Sequence, residues 1–201
     1  MRNVEDFLKA MRADSIPAGE KGLWNIRKFK IEKFILSPDK NKVITPGNYT
    51  QLSKVTWASI HLGVECVMAD YDAELFTHMN FIQKARGRVF VSGLGLGCVL
   101  RGLLLKDDVT RIDVVEKNQE VIDLVCPFVS KYERLNLRKM DVLKIKLNGE
   151  SWDYGWHDIS TDGNKGLAKK HAAIIAMLHS RIKQQGAWNF PRELKRYFSL
   201  I

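Results

Sequence analysis

The 201-residue chain has no run of about 18 apolar residues, so a membrane-crossing helix is excluded. Cysteine is scarce. Cys66, Cys98 and Cys126 form no CxxC and cannot all pair. That argues against a disulfide scaffold, offers nothing to a cysteine-rich zinc site, and leads us to expect a reducing compartment. The opening residues, MRNVEDFLKAMRAD, lack the apolar core of a secretory signal, so the expected location is cytoplasmic. There is no internal repeat, no low-complexity tract, and no RNP, HTH or C2H2 signature. His171 and His179 lie eight apart on one expected helix, too far for a shared metal, and no metal site is expected.

What is present is an ordinary globular composition, 45% hydrophobic and 27% charged, in 23.1 kDa. This suits one domain with a real core, or one domain with a small appendage. The net charge of +9 is uneven. Residues 1–60 carry +5, residues 61–163 carry −3, and residues 164–201 carry +7. Basic ends can meet nucleic acid or another anion, or can simply keep the surface solvated.

Two styles of chain follow one another. Residues 3–13 have Val4, Phe7, Leu8 and Met11 at helical spacing behind a candidate N-cap, Asn3. Residues 24–36 partly alternate, as in a half-buried strand, and residues 62–69 read as another. Turns are expected at Ser37-Pro38-Asp39 and around Pro46-Gly47-Asn48. Residues 1–75 therefore read as an α+β lead-in or lid, and residues 76–201 as a second unit. In that unit, helix at 77–84, 98–105, 119–128 (perturbed or shortened by Pro127) and 167–183 alternates with strand at 88–92, 110–116, 135–140, 152–159 and 187–190. A last helix is expected over 191–200. Alternation of this kind predicts an α/β fold with a Rossmann-like parallel sheet.

The second unit opens on Val89-Phe90-Val91-Ser92-Gly93-Leu94-Gly95-Leu96-Gly97-Cys98, an apolar strand running into Gly-x-Gly-x-Gly and then a helix. Glycines let the backbone turn sharply and approach a ligand, and the amides that open a helix favour an anionic group. The dinucleotide fingerprint G-x-G-x-x-G would need glycine where Cys98 stands, which disfavours a nicotinamide enzyme. Twenty-three residues beyond Gly93 the next strand ends in Glu116, where an acid can accept both hydroxyl hydrogens of a ribose. In an open parallel sheet, ligands bind beyond the carboxyl ends of the strands. Gly93, Glu116, Asp141 and Asp158 all fall there.

With these motifs, residues 85–190 resemble the class I S-adenosylmethionine-dependent methyltransferases. The resemblance implies S-adenosylmethionine as cofactor, held by Gly93, Leu94, Gly95 and Gly97, by Glu116 and Lys117 at the ribose, and by Asp141 and Val142 at the adenine. It also implies a sheet truncated after its fifth strand, whose open edge a homodimer could cover. Asp158, at the end of the fourth strand, is the candidate base. His157 beside it is a candidate substrate contact, although alternation lets one of the two face the cleft. Within the superfamily, Tyr71-x-x-Glu74-x-x-x-His78 and Trp152-Asp153…Asp158-Ile159-Ser160-Thr161-Asp162 resemble segments of the spermidine synthase-like proteins. That likeness implies substrate contacts at Tyr71, Glu74 and His78. Leu96 stands where those proteins carry an acid in the glycine loop. Trp152, Trp156 and Trp188 read as core or as an aromatic acceptor wall. The expected function is methyl transfer to an acceptor, most simply a small molecule. Aminopropyl transfer, or a non-catalytic cofactor-binding or scaffold role, stands as the alternative.

Overall fold

The computed structural model describes residues 3–36, 43–58, 61–129, 133–159 and 166–188. Helix α1 (Val4–Met11) begins in a capping box. Asn3 Oδ1 accepts from the Asp6 amide at 2.8 Å and the Asp6 carboxylate accepts from the Asn3 amide at 3.2 Å, satisfying two end amides. Strands β1 (Gly19–Lys21), β2 (Trp24–Ile31), β5 (Gly47–Ala58) and β6 (His61–Ala69) form an antiparallel sheet in the order β1-β2-β5-β6. A separate hairpin pairs β3 (Ile35–Leu36) with β4 (Val43–Ile44). The strand expected over 24–36 therefore breaks after Ile31. Gly47 and Asn48, expected in a turn, open β5 instead.

Helix α2 (Asp72–Lys84) leads to the second sheet, whose strands are β7 (Gly87–Ser92), β8 (Val109–Glu116), β9 (Leu135–Lys139), β10 (Trp152–His157) and β11 (Ile182–Ala187). All four pairings are parallel, in the order β11-β10-β7-β8-β9. Helices α3 (Cys98–Leu104), α4 (Gln119–Val125) and α5 (Leu167–Leu178) connect β7 to β8, β8 to β9 and β10 to β11, and a 3₁₀ turn, Val142–Lys144, lies between β9 and β10. This is the expected α/β, Rossmann-like sheet. The chain runs outward from β7 to β9 and then returns to β10 on the other flank of β7, so the switch point lies between β7 and β10.

As expected, Pro127 shortens α4, which ends in a 3₁₀ turn, Cys126–Phe128, because its ring cannot continue the helix ladder. One boundary differs from expectation. The helix expected to reach Lys183 stops at Leu178, and Ile182 begins β11 five residues before the strand expected at 187. The rest of that expected strand and the helix expected over 191–200 fall outside the described residues, as does Ser160-Thr161-Asp162.

The largest apolar cluster takes residues from both sheets. Phe7, Met11, Trp24, Leu52 and Met68 pack with Phe81, Val91, Leu100 and Trp156. Phe90, Val115, Trp152, Ile174 and Leu178 fill the other face of the parallel sheet. There the Trp152 indole N–H donates to Asp113 at 2.8 Å, and Asp113 also accepts from Asn136 at 2.7 Å, tying β8, β9 and β10 together.

Candidate functional site

A cleft of about 210 Å³ opens beyond the carboxyl ends of β7, β8, β9 and β10. Its floor is the glycine loop. Gly93, Gly95 and Gly97 all have positive φ, at 93°, 51° and 74°. At Gly93 a Cβ would lie 1.8 Å from the carbonyl oxygen of Asp158, so glycine alone lets β7 and β10 approach here. Gly93 and Gly95 line the cleft. Gly97 turns away from it. It caps α3, and a Cβ there would meet Val129 at 2.9 Å. The Leu94 side chain is buried in the core and meets the site through its backbone amide.

That amide donates to Glu116 Oε2 at 2.9 Å. Glu116 Oε1 accepts from the Asn118 amide at 2.8 Å and from its side-chain nitrogen at 2.9 Å. Three donors therefore hold the carboxylate at the cleft wall. With about four lone-pair sites in all, it keeps acceptor capacity for a ligand hydroxyl. Lys117 lines the wall beside it. Beyond β9, Asp141 lines the cleft between Met140 and Val142. One of its oxygens accepts from the Leu143 amide at 3.0 Å, fixing the turn that carries the group.

Asp158 follows β10. Its amide donates to the Ser92 carbonyl at 2.8 Å, so the backbone is fixed against the glycine loop. The side chain lines the cleft with a quarter of its surface exposed. Burial among the walls pushes its pKa up to about 7. A carboxyl poised there can accept a proton near neutral pH.

His157 points the other way, and the substrate contact expected of it is not where the ring lies. The ring is fully buried on the α5 face of the sheet. Nδ1 sits 2.9 Å from Ser92 Oγ and Nε2 2.9 Å from Gln185 Oε1. Both nitrogens have partners, and burial lowers its pKa to about 4, which marks a neutral core histidine. Alternation along β10 separates it from its neighbour. Tyr71 is also remote from the cleft. It packs edge-on against Tyr49 at 5.0 Å and Phe29 at 6.0 Å. Glu74, one turn further along α2, does line the cleft. His78 lies beneath the wall, fully buried, with Nε2 3.9 Å from Asp158 Oδ2.

Local sequence reasoning missed the roof. Trp24 from β2, Leu52 and Lys54 from β5, and Glu65 and Met68 from β6 close the cleft from above. Met68 Sδ accepts from the Leu96 amide at 3.4 Å and would meet a Cβ on Gly95 at 2.7 Å. Trp188, noted in the sequence as core or acceptor wall, lines the cleft, whereas Trp152 and Trp156 are core. Nothing near these roof residues in the sequence announces a site; only the pairing of β2, β5 and β6 brings them there. Among the described residues no group of three His, Cys, Asp or Glu side chains could hold a metal ion.

No protein-family model matches the chain, and no curated protein matches its sequence. Solved structures do resemble it. One is the N-methyltransferase NodS from Bradyrhizobium japonicum WM9 in complex with S-adenosyl-L-homocysteine, at 12% identity over 56% of this chain and 55% of that one, TM-score 0.41. A second is SAM-bound CalS10, an amino pentose methyltransferase from Micromonospora echinaspora, at 17% over 59% and 50%, TM-score 0.41. A third is a dimethyladenosine transferase from Plasmodium falciparum, at 16% over 53% and 36%, TM-score 0.40. The chain spans about half the length of the first two. None of these three is a polyamine synthase.

Proposed function

We propose that the cleft binds S-adenosylmethionine and that the chain is a methyltransferase. One observation carries this reading. The glycine loop, the Glu116 carboxylate, Asp141 with Val142, and Asp158 line one cleft at the ends of four adjacent parallel strands. The donor set fits the cofactor. Glu116 keeps acceptor capacity for a ribose hydroxyl, Asp141 can accept from the adenine amino group, and Met140 and Val142 offer apolar surface to the ring. Gly93 and Gly95 leave room along the loop for the amino-acid end.

When bound, the cofactor would supply a sulfonium-activated methyl group, so little covalent chemistry is asked of the protein. This chain's residues bind, orient and exclude water. The roof of β2, β5 and β6 shuts the cleft from above, and we read residues 1–75 as the lid of a cofactor-binding unit at 76–201. Asp158 takes the proton from the acceptor nucleophile, and Glu74, Trp24 and Trp188 shape the space where a small acceptor would lie.

Aminopropyl transfer is the weaker reading. Its support is the Glu74-x-x-x-His78 spacing. Where the polyamine synthases have an acid in the loop, Leu96 is fully buried and offers the cleft no carboxylate.

Calorimetric titration with S-adenosylmethionine, S-adenosylhomocysteine, the decarboxylated cofactor and NAD tests both. Binding of the first two and not of NAD is expected. Glu116→Ala should weaken S-adenosylhomocysteine by about 1.5–3 kcal/mol, the range for a charge-assisted hydrogen bond. Preference for the decarboxylated form would replace methyl by aminopropyl transfer. If none of the four bound the folded protein, the transferase reading would fail.

A further inference from the structure

The structure contains three fully buried described histidines, His78, His157 and His171, and they are not equivalent. His157 is satisfied by Ser92 and Gln185 on the α5 face. His171 sits on α5, on that same side of the sheet. His78 alone lies on the cleft side, where α2 passes beneath the end of β10. Its ring cannot swing into the cleft. It stands edge-on against Trp156 at 5.6 Å and 87°, and Trp156 is stacked on Phe81 at 5.0 Å. Phe81 lies three residues after His78 on the same helix, so one face of α2 clamps both rings. An imidazole buried among aromatic rings costs desolvation that an apolar side chain would not. What that imidazole faces here is the carboxyl of Asp158.

Asp158 has little other freedom. Its amide is bonded to the Ser92 carbonyl and its own carbonyl is packed on Gly93, which leaves the side-chain torsions to be set. Nε2 of His78 lies 3.9 Å from Oδ2, about 1 Å beyond a hydrogen bond, a gap that a small turn of the Asp158 side chain closes.

We propose that His78 is a positioning residue, presenting an Nε2–H to the Asp158 carboxyl and holding that carboxyl in place as the proton acceptor. This rests on the reading of Asp158 given above. The proton leaving the acceptor nucleophile goes to an Asp158 carboxylate oxygen, making a neutral acid. It departs later to solvent through the exposed quarter of the side chain. His78 donates a hydrogen bond throughout and takes no proton. The assignment differs from the substrate contact implied by sequence, since a ring that is fully buried beneath the wall does not touch an acceptor.

Other charged groups share the surroundings. Glu65, Glu74, Glu116 and Asp141 line the cleft with Asp158, as do Lys54, Lys117 and Lys170. Cys98 on α3 is near enough to feel the Asp158 charge, and burial raises its thiol well above the usual range. All of these are common to wild type and His78 variants, so a difference between them isolates the histidine.

The test is a ¹³C carboxyl NMR titration of Asp158, assigned with Asp158→Asn, in wild type, His78→Leu and His78→Gln. Loss of the donor in His78→Leu should raise the Asp158 midpoint by about 0.5–1 pH unit, a three- to tenfold gain in proton affinity. His78→Gln, which restores an N–H, should bring the midpoint back toward wild type. Equal midpoints in wild type and a folded His78→Leu overturn the proposal. Should His78→Leu not fold, the wild-type imidazole answers alone through its ¹⁵N spectrum. An Nε2–H tautomer whose shift follows the Asp158 midpoint is expected, and an Nδ1–H tautomer indifferent to it overturns the proposal. Neither readout needs cofactor or acceptor. A parallel S-adenosylhomocysteine titration of wild type shows separately whether the transferase reading stands.

Discussion

Two glycines in the same loop carry very different constraints. Gly93 faces backbone, since a Cβ would fall 1.8 Å from the Asp158 carbonyl oxygen and 2.8 Å from its carbon. That peptide cannot retreat without breaking the Asp158–Ser92 bond that seats β10 against β7. Gly95 faces the end of a flexible side chain, Met68 Sδ at 2.7 Å, which can turn aside. We therefore expect Gly93→Ala to cost about 4 kcal/mol or more, or to prevent folding. Gly95→Ala should cost about 1–2 kcal/mol for its left-handed backbone plus a packing penalty. Met68→Ala should relieve that packing part, so the double variant should be more stable than the sum of the singles predicts. Urea unfolding of the four proteins measures the coupling. Additive effects would place Met68 outside contact with the loop. The same contact bears on access. At about 210 Å³ the cleft is below the about 300–1,000 Å³ common for small-molecule sites, and Met68 is among the side chains that narrow it.

Among the elements, those that build the cleft wall were legible and those that roof it were not. Strands β7 and β8 are short apolar runs, the first ending in glycines and the second in an acid, and both patterns are local. Strand β5 buries Thr50 and Ser53 as completely as it buries Leu52, so no apolar alternation marks it. Its position is set from afar. Asp70, fully buried just after β6, accepts from the Thr50 amide at 2.6 Å and from the Ala13 amide at 2.9 Å. Asp70 thus ties β5 and the end of α1 to the entry of α2. Helix α5 was read too long for a similar reason. No glycine or proline stands between Leu178 and Ile182, and Ile182 continues the apolar spacing. Pairing with β10 then takes Ile182 into β11. Tyr71 enters the expected site on the Tyr71-x-x-Glu74-x-x-x-His78 pattern, but its ring fits the Tyr49–Phe29 cluster. Asp70→Ala should leave two buried amides without acceptors and cost about 2–5 kcal/mol. Asp70→Asn, which keeps one acceptor oxygen, should cost less. Hydrogen exchange at Thr50 should accelerate in the alanine variant. Unchanged protection there would show that Asp70 does not hold the strand.

Across the whole molecule, the buried titratable groups pull stability in opposite directions with pH. Burial lowers His157 and His171 from 6.5 to about 4. Between those values the unfolded chain binds protons that the folded chain refuses. Stability therefore falls as pH drops through that window, by on the order of 3 kcal/mol for each histidine. Burial raises Asp158 from 3.8 to about 7, so the folded chain keeps a proton there that the unfolded chain has lost. Its contribution is full below 3.8 and is lost as pH rises through about 7, on the order of 4 kcal/mol. Two histidines outweigh one carboxyl in acid. Wild type should accordingly gain stability as pH rises to about 7 and level off above that, once Asp158 is ionised in both the folded and the unfolded chain. Asp158→Asn removes the opposing group. It should be more stable than wild type at pH 8 by on the order of 4 kcal/mol, flat from there down to about 6.5, and steeper in acid. Urea unfolding of both proteins at pH 4.5, 6.5 and 8 gives these slopes. A variant no more stable than wild type at pH 8 would mean that Asp158 ionises there at no cost, and the case for it as a poised base would go with it. The predicted gain identifies a group that weakens the fold near neutral pH, which is expected of a buried charge that packing alone would not choose.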